Sequence, residues 1–285
     1  MCRSKGRNKM KKTKLKTALI VFGMALMSQA NADATLDRIQ ATKKVRIGVI
    51  LNSPPLGYTD VNTHKPAGFE IVLANDIAKR LGAEAEIVQV NPANRVQFLQ
   101  QGKVDALLAN MQVTPEREKA LDHAKTPYKY AYGSAMIKKG SGVTRWEDLR
   151  GKEVCLSQGS NYAKPLVEGY GIKTKGLAGS AESLLALKGG NCSASVHDGA
   201  SLRYLLSTNP DWADYEVPIQ QPLELSPGVI WVKKGQQDTA TALDEIVNEW
   251  HRSGWLVNVA KENNWPYLTP ELEKLHQEIL NQPAA

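Results

Sequence analysis

Residues 98–110 read FLQQGKVDALLAN and residues 185–198 read LALKGGNCSASVHD, each a helix end, a glycine and then a strand. The segments ahead of them also correspond. TLDRIQATKKVRIGVI (35–50) and TRWEDLRGKEVCLSQG (144–159) each give a short helical turn, basic residues and a strand. The period is too long and the matching too loose for a stack of repeats, so the pattern predicts two similarly wound lobes. In the first, VRIGVI (45–50) and AEIVQV (85–90) are predicted strands. Between them, Ile71, Val72, Ala74, Ile77, Ala78 and Leu81 make 68–81 an amphipathic helix stopped by Gly82. A helix near 92–101 then leads into the strand VDALLANM. After Asp198 come a helix (200–207), the proline-rich VPIQQPLELSPG (217–228), the strand VIWVKK and the helix ATALDEIVNEWHRSG. The expected fold is α/β, each lobe a doubly wound, mostly parallel sheet, with two crossings near 129–134 and 220–227. Lobe 1 is expected to hold 33–130 and 224–270, lobe 2 to hold 131–223, and 271–285 to form a C-terminal tail.

Composition narrows the function. Lys and Arg number 36 against 29 Asp and Glu, a net charge of +7. Eight of those cations (Arg3, Lys5, Arg7, Lys9, Lys11, Lys12, Lys14, Lys16) lie in residues 1–32, ahead of the apolar TALIVFGMALM and the small-residue site Ala30-Asn31-Ala32. That is the layout of a secretory signal peptide. Subtracting its eight charges from +7 leaves −1 over the remaining 253 residues, so the electrostatic case for nucleic acid disappears. The apolar stretch is too short to span a bilayer and no cysteine follows it to take a lipid, so a free, monomeric periplasmic product is expected. Cys2 leaves with the signal; Cys155 and Cys192 remain, as a disulfide in an oxidising compartment or as two buried thiols.

Candidate binding residues lie at strand ends, where open α/β sheets take their ligands. Thr114-Pro115 reads as an N-cap and first helical turn, which puts Arg117 at the positive end of a helix, a poor place for a cation. Either Arg117 pairs with Glu116, Glu118 or water, or its planar fork waits for a carboxylate. Gln158-Gly159-Ser160-Asn161 ends a strand and opens a helix, so its backbone N–H groups suit an anion, unless Ser160 is only an N-cap. Asp198 ends the last strand of lobe 2; it accepts an ammonium or caps the following helix. A cationic fork on one lobe and a carboxylate on the other complement a free amino acid, whose two charges make closure favourable only when it is bound.

The strings NRVQFLQQGKVDALLANMQVTPERE, RIGVILNSPPLGY with AGFEIVLANDIAKRLGAE, EDLRGKEVCLSQGS and SASVHDGASL resemble the bacterial extracytoplasmic solute-binding proteins of polar amino-acid ABC importers, over roughly residues 36–265. The resemblance implies a periplasmic-binding-protein-like clamp that captures an amino acid, with a lean to polar or acidic ones, and delivers it to an inner-membrane ABC permease. It implies Arg117 for the α-carboxylate and Asp198 for the α-ammonium. It places Asn110, Gln112, Ser160, Asn161 and Ser53 around the ligand. Arg95 matches a position that pairs with a side-chain carboxylate, or is a helix-start arginine that orients its loop. Cys155 and Cys192 fall in two strands expected to be neighbours.

The rival classes are an exported dehydratase-like enzyme on a small carboxylate and a periplasmic sensory module. The dehydratase relatives use an acid just after the last strand of lobe 2, where HDGASLR puts Ser201. His197 beside Asp198 is expected to point to the other face of its strand. The sequence holds no GxSxG, HExxH, P-loop or GxGxxG, and its five histidines lack metal-ligand spacing, so no catalytic residue, metal or cofactor is expected.

Overall fold

The computed structural model describes Met1 and residues 33–281; the signal-peptide reading of 1–32 and the end of the tail lie outside the described residues. Strand Lys44–Ile50 organises the first sheet, pairing in parallel with Glu84–Val90 on one side and Ala106–Leu107 on the other. Val45, Ile47 and Val49 enter one core with helices Phe69–Arg80 and Gln237–Arg252; Ile50 enters a second core on the opposite face. Burial on both faces is why VRIGVI carries so few polar residues. Gly48 is required by the packing, since a Cβ there would sit 2.7 Å from Leu107 Cδ2. The sheet is completed by Trp231–Lys233 and Leu121–His123.

The second sheet runs Lys173–Leu177, Glu153–Ser157, Ala194–Asp198, Lys129–Lys138 and Tyr215–Glu216, with Leu223–Gly228 also paired to Lys129–Lys138. It too has a core on each face, one around Trp146 and one around Met136 and Trp212. One strand in each sheet runs against all the others: Trp231–Lys233 in the first and Lys129–Lys138 in the second. A helical crossover returns a strand parallel to its predecessor. These two enter their sheets around the crossings instead, and so are free to oppose.

The crossings themselves hydrogen-bond to each other, Gly228 opposite Lys129 and Leu223 opposite Gly133, with a register shift between Leu223 and Ser226. Alternation along this ribbon sends Tyr130 and Tyr132 to one side and Lys129 to the other. Tyr130 Oη donates to Glu278 Oε2 and Tyr132 Oη to Glu271 Oε1, both at 2.7 Å, from helix Thr269–Leu280, which buries Leu272 and Leu275. The C-terminal stretch, read from sequence as an extra terminal helix with a loose end, is through residue 280 a helix strapped over the crossing strands.

The strand expected over VDALLANM is shorter, Ala106–Leu107, because the chain leaves the ladder to reach Asn110, whose φ of 47° is left-handed. Cys155 lies on strand Glu153–Ser157 and Cys192 just ahead of strand Ala194–Asp198; they are disulfide-bonded with Cα atoms 5.8 Å apart, closing 37 residues. A loop of that length corresponds to about 4 kcal/mol of chain entropy removed from the unfolded state, less in practice. The Cys155→Ser/Cys192→Ser variant is expected to lose about 2–4 kcal/mol of stability in urea titration, with the loss confined to the transition that reports Trp146 and Trp212 if the lobes unfold separately.

Candidate functional site

Helix Pro115–Ala120 forms as its sequence dictates, with Thr114 Oγ1 accepting from the Arg117 N–H and Pro115 in the first turn. The acids that could have answered Arg117 are engaged elsewhere: Glu116 with Lys164 of the other lobe at 3.6 Å and Glu118 with His123 at 3.4 Å. Arg117 Nη1 donates instead to the Gln112 carbonyl at 2.7 Å. Arg95 is 3% exposed, donates from Nη1 to the Ala109 carbonyl at 2.5 Å, and has a buried Nε with no partner. Burial pulls both guanidinium pKa values down, Arg95 to about 9 with repulsion from Arg117 adding to the drop, and Arg117 to about 10. Both remain charged at neutral pH. Among the described residues neither is paired with a carboxylate. One buried and one partly buried cation with only carbonyl partners form a place where an anion is missing.

Opposite them, Asp198 ends its strand and caps helix Gly199–Thr208, its Oδ1 accepting from the N–H groups of Ala200 and Ser201 at 3.1 and 3.2 Å. Its Oδ2 lies 3.1 Å from Lys129 Nζ. That ammonium also donates to Asn110 Oδ1 at 2.7 Å, so one cation on the crossing strand ties the end of a lobe 1 strand to the end of a lobe 2 strand. Asn110 is held in turn by Glu70, whose Oε1 accepts from the Asn110 N–H at 2.8 Å and from Tyr128 Oη at 2.6 Å. Burial pushes the Glu70 carboxyl up from the usual range, against the bonds from Tyr128 and Asn110.

The lobes are closed on each other. Ser53 Oγ lies 3.0 Å from Ser201 Oγ, and Ser180 Oγ donates to the Asn52 carbonyl at 3.0 Å. Gly159, at φ 80°, lets its turn lie against lobe 1; a Cβ there would sit 2.5 Å from the Pro92 carbonyl oxygen. Between the lobes lies a small cavity of about 60 Å³, partly open to solvent. Of the expected site residues, Ser53, Arg95, Asn110, Ser160, Asn161 and Asp198 line it together. Arg117 lines the neighbouring cavity, which shares Asn161. Gln112 lines neither: it is 1% exposed, and its Nε2 donates to the carbonyls of Ala131 and Glu224, one on each crossing strand, at 2.7 and 2.6 Å. The helix after Gln158-Gly159 starts only at Ala163, so Ser160 is not its cap; Ser160 closes the turn, its N–H donating to the Ser157 carbonyl and its Oγ accepting from the Tyr162 N–H.

A profile of the bacterial extracellular solute-binding proteins, family 3, matches residues 45–264. The chain belongs to that family. It is similar to the ABC transporter glutamine-binding protein of Bacillus subtilis (strain 168), 30% identical over 232 residues, 80% of this chain and 83% of the relative. The L-cystine-binding protein of Escherichia coli (strain K12) is 26% identical over 243 residues, 83% of this chain and 88% of its own. Among solved structures, the cysteine-binding protein from Campylobacter jejuni matches with a TM-score of 0.74 at 30% identity, covering 80% of this chain and 92% of that one. No helix among the described residues is long and apolar enough to cross a membrane.

Residues at or behind this solute-binding protein's cleft that were not singled out from sequence include Lys129, Glu70 and Tyr162; the first two carried a signal. Lys129 interrupts the strand PYKYAYGSAM and Glu70 sits on the apolar face of its helix; a charge among buried positions is the informative exception. Tyr162 is buried between the Arg95 and Asp198 sides of the cavity.

His197 borders the cavity, and its Nε2 lies 3.0 Å from Ser195 Oγ, two residues back on the strand face opposite to that of Asp198. Burial lowers its pKa from 6.5 to about 4, against the pull of Asp198. Above pH 6.5 the imidazole is neutral folded and unfolded. Below that, the unfolded chain takes the proton first, so stability falls until about pH 4, by up to about 3 kcal/mol. Urea titrations at pH 7 and pH 4.5 should show the native protein losing more stability than His197→Gln; equal losses would remove the imidazole from the account. Gly159→Ala is expected to hold the lobes apart, seen as a larger radius of gyration in solution scattering with unchanged secondary structure.

Proposed function

We propose that the protein is the periplasmic binding component of an ABC importer, capturing an amino acid or a close derivative by closure of its two lobes and presenting it to a membrane permease. The observation that carries this reading is the buried guanidinium of Arg95 beside the partly buried one of Arg117, neither with a carboxylate partner among the described residues, at the mouth between two lobes. A ligand carboxylate supplies the missing charge, and exclusion of water on closure strengthens the pair. Membership of a family of extracellular solute-binding proteins supports the compartment, and relatives named for glutamine and L-cystine support the ligand class.

Gln112 and Lys129 have their place in the closure rather than in ligand contact. Both tie the crossing strands to lobe 1, so rotation about the ribbon is coupled to the residues that line the cavity. A binder, not an enzyme, is the better reading of the cleft. Ser201 stands where a dehydratase would carry its acid, and it is occupied with Ser53 across the closed lobes.

Arg117→Ala is expected to weaken binding of the solute at least tenfold, about 1.4 kcal/mol or more, in titration calorimetry while the circular dichroism spectrum stays native. Unchanged affinity would falsify the role given to that guanidinium.

A further inference from the structure

Asp198 is the acid that the cleft offers to a ligand's amino group, and in the folded chain it already has a cation. Lys129 Nζ stands 3.1 Å from Asp198 Oδ2, both side chains at most 4% exposed, while Oδ1 is filled by two backbone N–H groups. The lysine is fixed there by more than the ion pair. It extends from the crossing strand, its Nζ also donates to Asn110 Oδ1, and Asn110 is fastened through its own N–H to Glu70. We propose that Lys129 takes the place of a ligand ammonium, so that the cleft is built for a carboxylate solute with no free α-amino group: a 2-oxo acid or an N-acylated amino acid.

Resting on the solute-binding reading above, this names the ligand class within it. Charge balance leads to the same class. The groups that line or touch the cavity include two cations, Arg95 and Lys129, against one carboxylate, Asp198. Glu70 lies behind Asn110 and Tyr128, and burial biases it towards its neutral form. A neutral zwitterion would leave that excess of positive charge in place and set its ammonium against Lys129, two cations competing for one oxygen where little water screens them. An anion without an amine neutralises the excess and leaves the lysine pair intact. In both candidate classes the α-position carries an uncharged group, a carbonyl or an amide, which makes hydrogen bonds without demanding a counter-ion. His197, held neutral by burial, and the hydroxyls of Ser53 and Ser160 line the same cavity and suit such a group.

The test is calorimetry of the purified full-length mature protein against the common amino acids, their 2-oxo acids and their N-acetyl derivatives, with the same panel on Lys129→Met and Arg117→Ala. The expected result is at least tenfold tighter binding of one 2-oxo or N-acetyl probe than of its parent amino acid. A 2-oxo hit and an N-acetyl hit separate the two sources. In Lys129→Met the freed Asp198 should shift the preference at least tenfold towards the parent. Should that variant fail to fold, Lys129→Met/Asp198→Asn removes both charges and should bind parent and derivative alike, and the native comparison decides the matter by itself. A native protein that binds a parent amino acid as tightly as, or more tightly than, both derivatives overturns the inference; if Arg117→Ala also weakens that binding, the solute-binding reading survives alone. No binding by any probe overturns both.

Discussion

Closing two lobes over a cleft brings charges out of water, and each one must then find an opposite charge or a full set of hydrogen bonds. Here the requirement is met on one side and left open on the other. Lys129 joins Asn110 to Asp198, one contact from each lobe, and is itself carried on the strand that links the lobes. Arg95 and Arg117, by contrast, have backbone carbonyls for partners and no carboxylate among the described residues. The first arrangement holds the cleft together, and the second is the one that the proposed solute carboxylate would complete.

The crossing ribbon distributes these tasks by simple alternation. From one side of it Tyr130 and Tyr132 reach the carboxylates of helix Thr269–Leu280; from the other Lys129 reaches the cleft. Arg203 Nη1 adds a bond to Tyr132 Oη at 2.9 Å, so helix Gly199–Thr208, whose first turn Asp198 caps, is tied to the same strap. Helix Gly199–Thr208 and the terminal helix on the outside are thus two hydrogen bonds apart through one tyrosine. A terminal helix fastened in this way limits how far the ribbon can bend, and it gives residues 269–280 a structural task in closure.

Within the cleft, polar side chains outnumber apolar ones at the points where the lobes meet, as at Ser53 and Ser201 or Ser180 and Asn52. Such contacts are weak one by one and exchange readily with water. They suit lobes that must part again. The cores behind them are of a different kind, apolar and built around Trp146, Trp212, Trp231 and Trp250.

The sequence by itself determined the α/β architecture, the helix starts that carry Arg95 and Arg117, and the strand ends that carry Asn110 and Asp198. Apolar periodicity, caps and glycines are local signals, and Thr114-Pro115 and Gly82 act within a turn of where they stand. It did not determine what those side chains face. Whether Asp198 meets a ligand or a lysine 69 residues away depends on where the crossing strand passes, and that is set by the packing of two sheets against one ribbon. Gln112 illustrates the same limit: its place beside the cleft residues in sequence says nothing of the two carbonyls, one of them 112 residues on, that take its amide. Tertiary structure decided these pairings because a hydrogen bond or an ion pair needs proximity in space, and the chain's long-range returns are encoded in the summed burial of its cores rather than in any short motif.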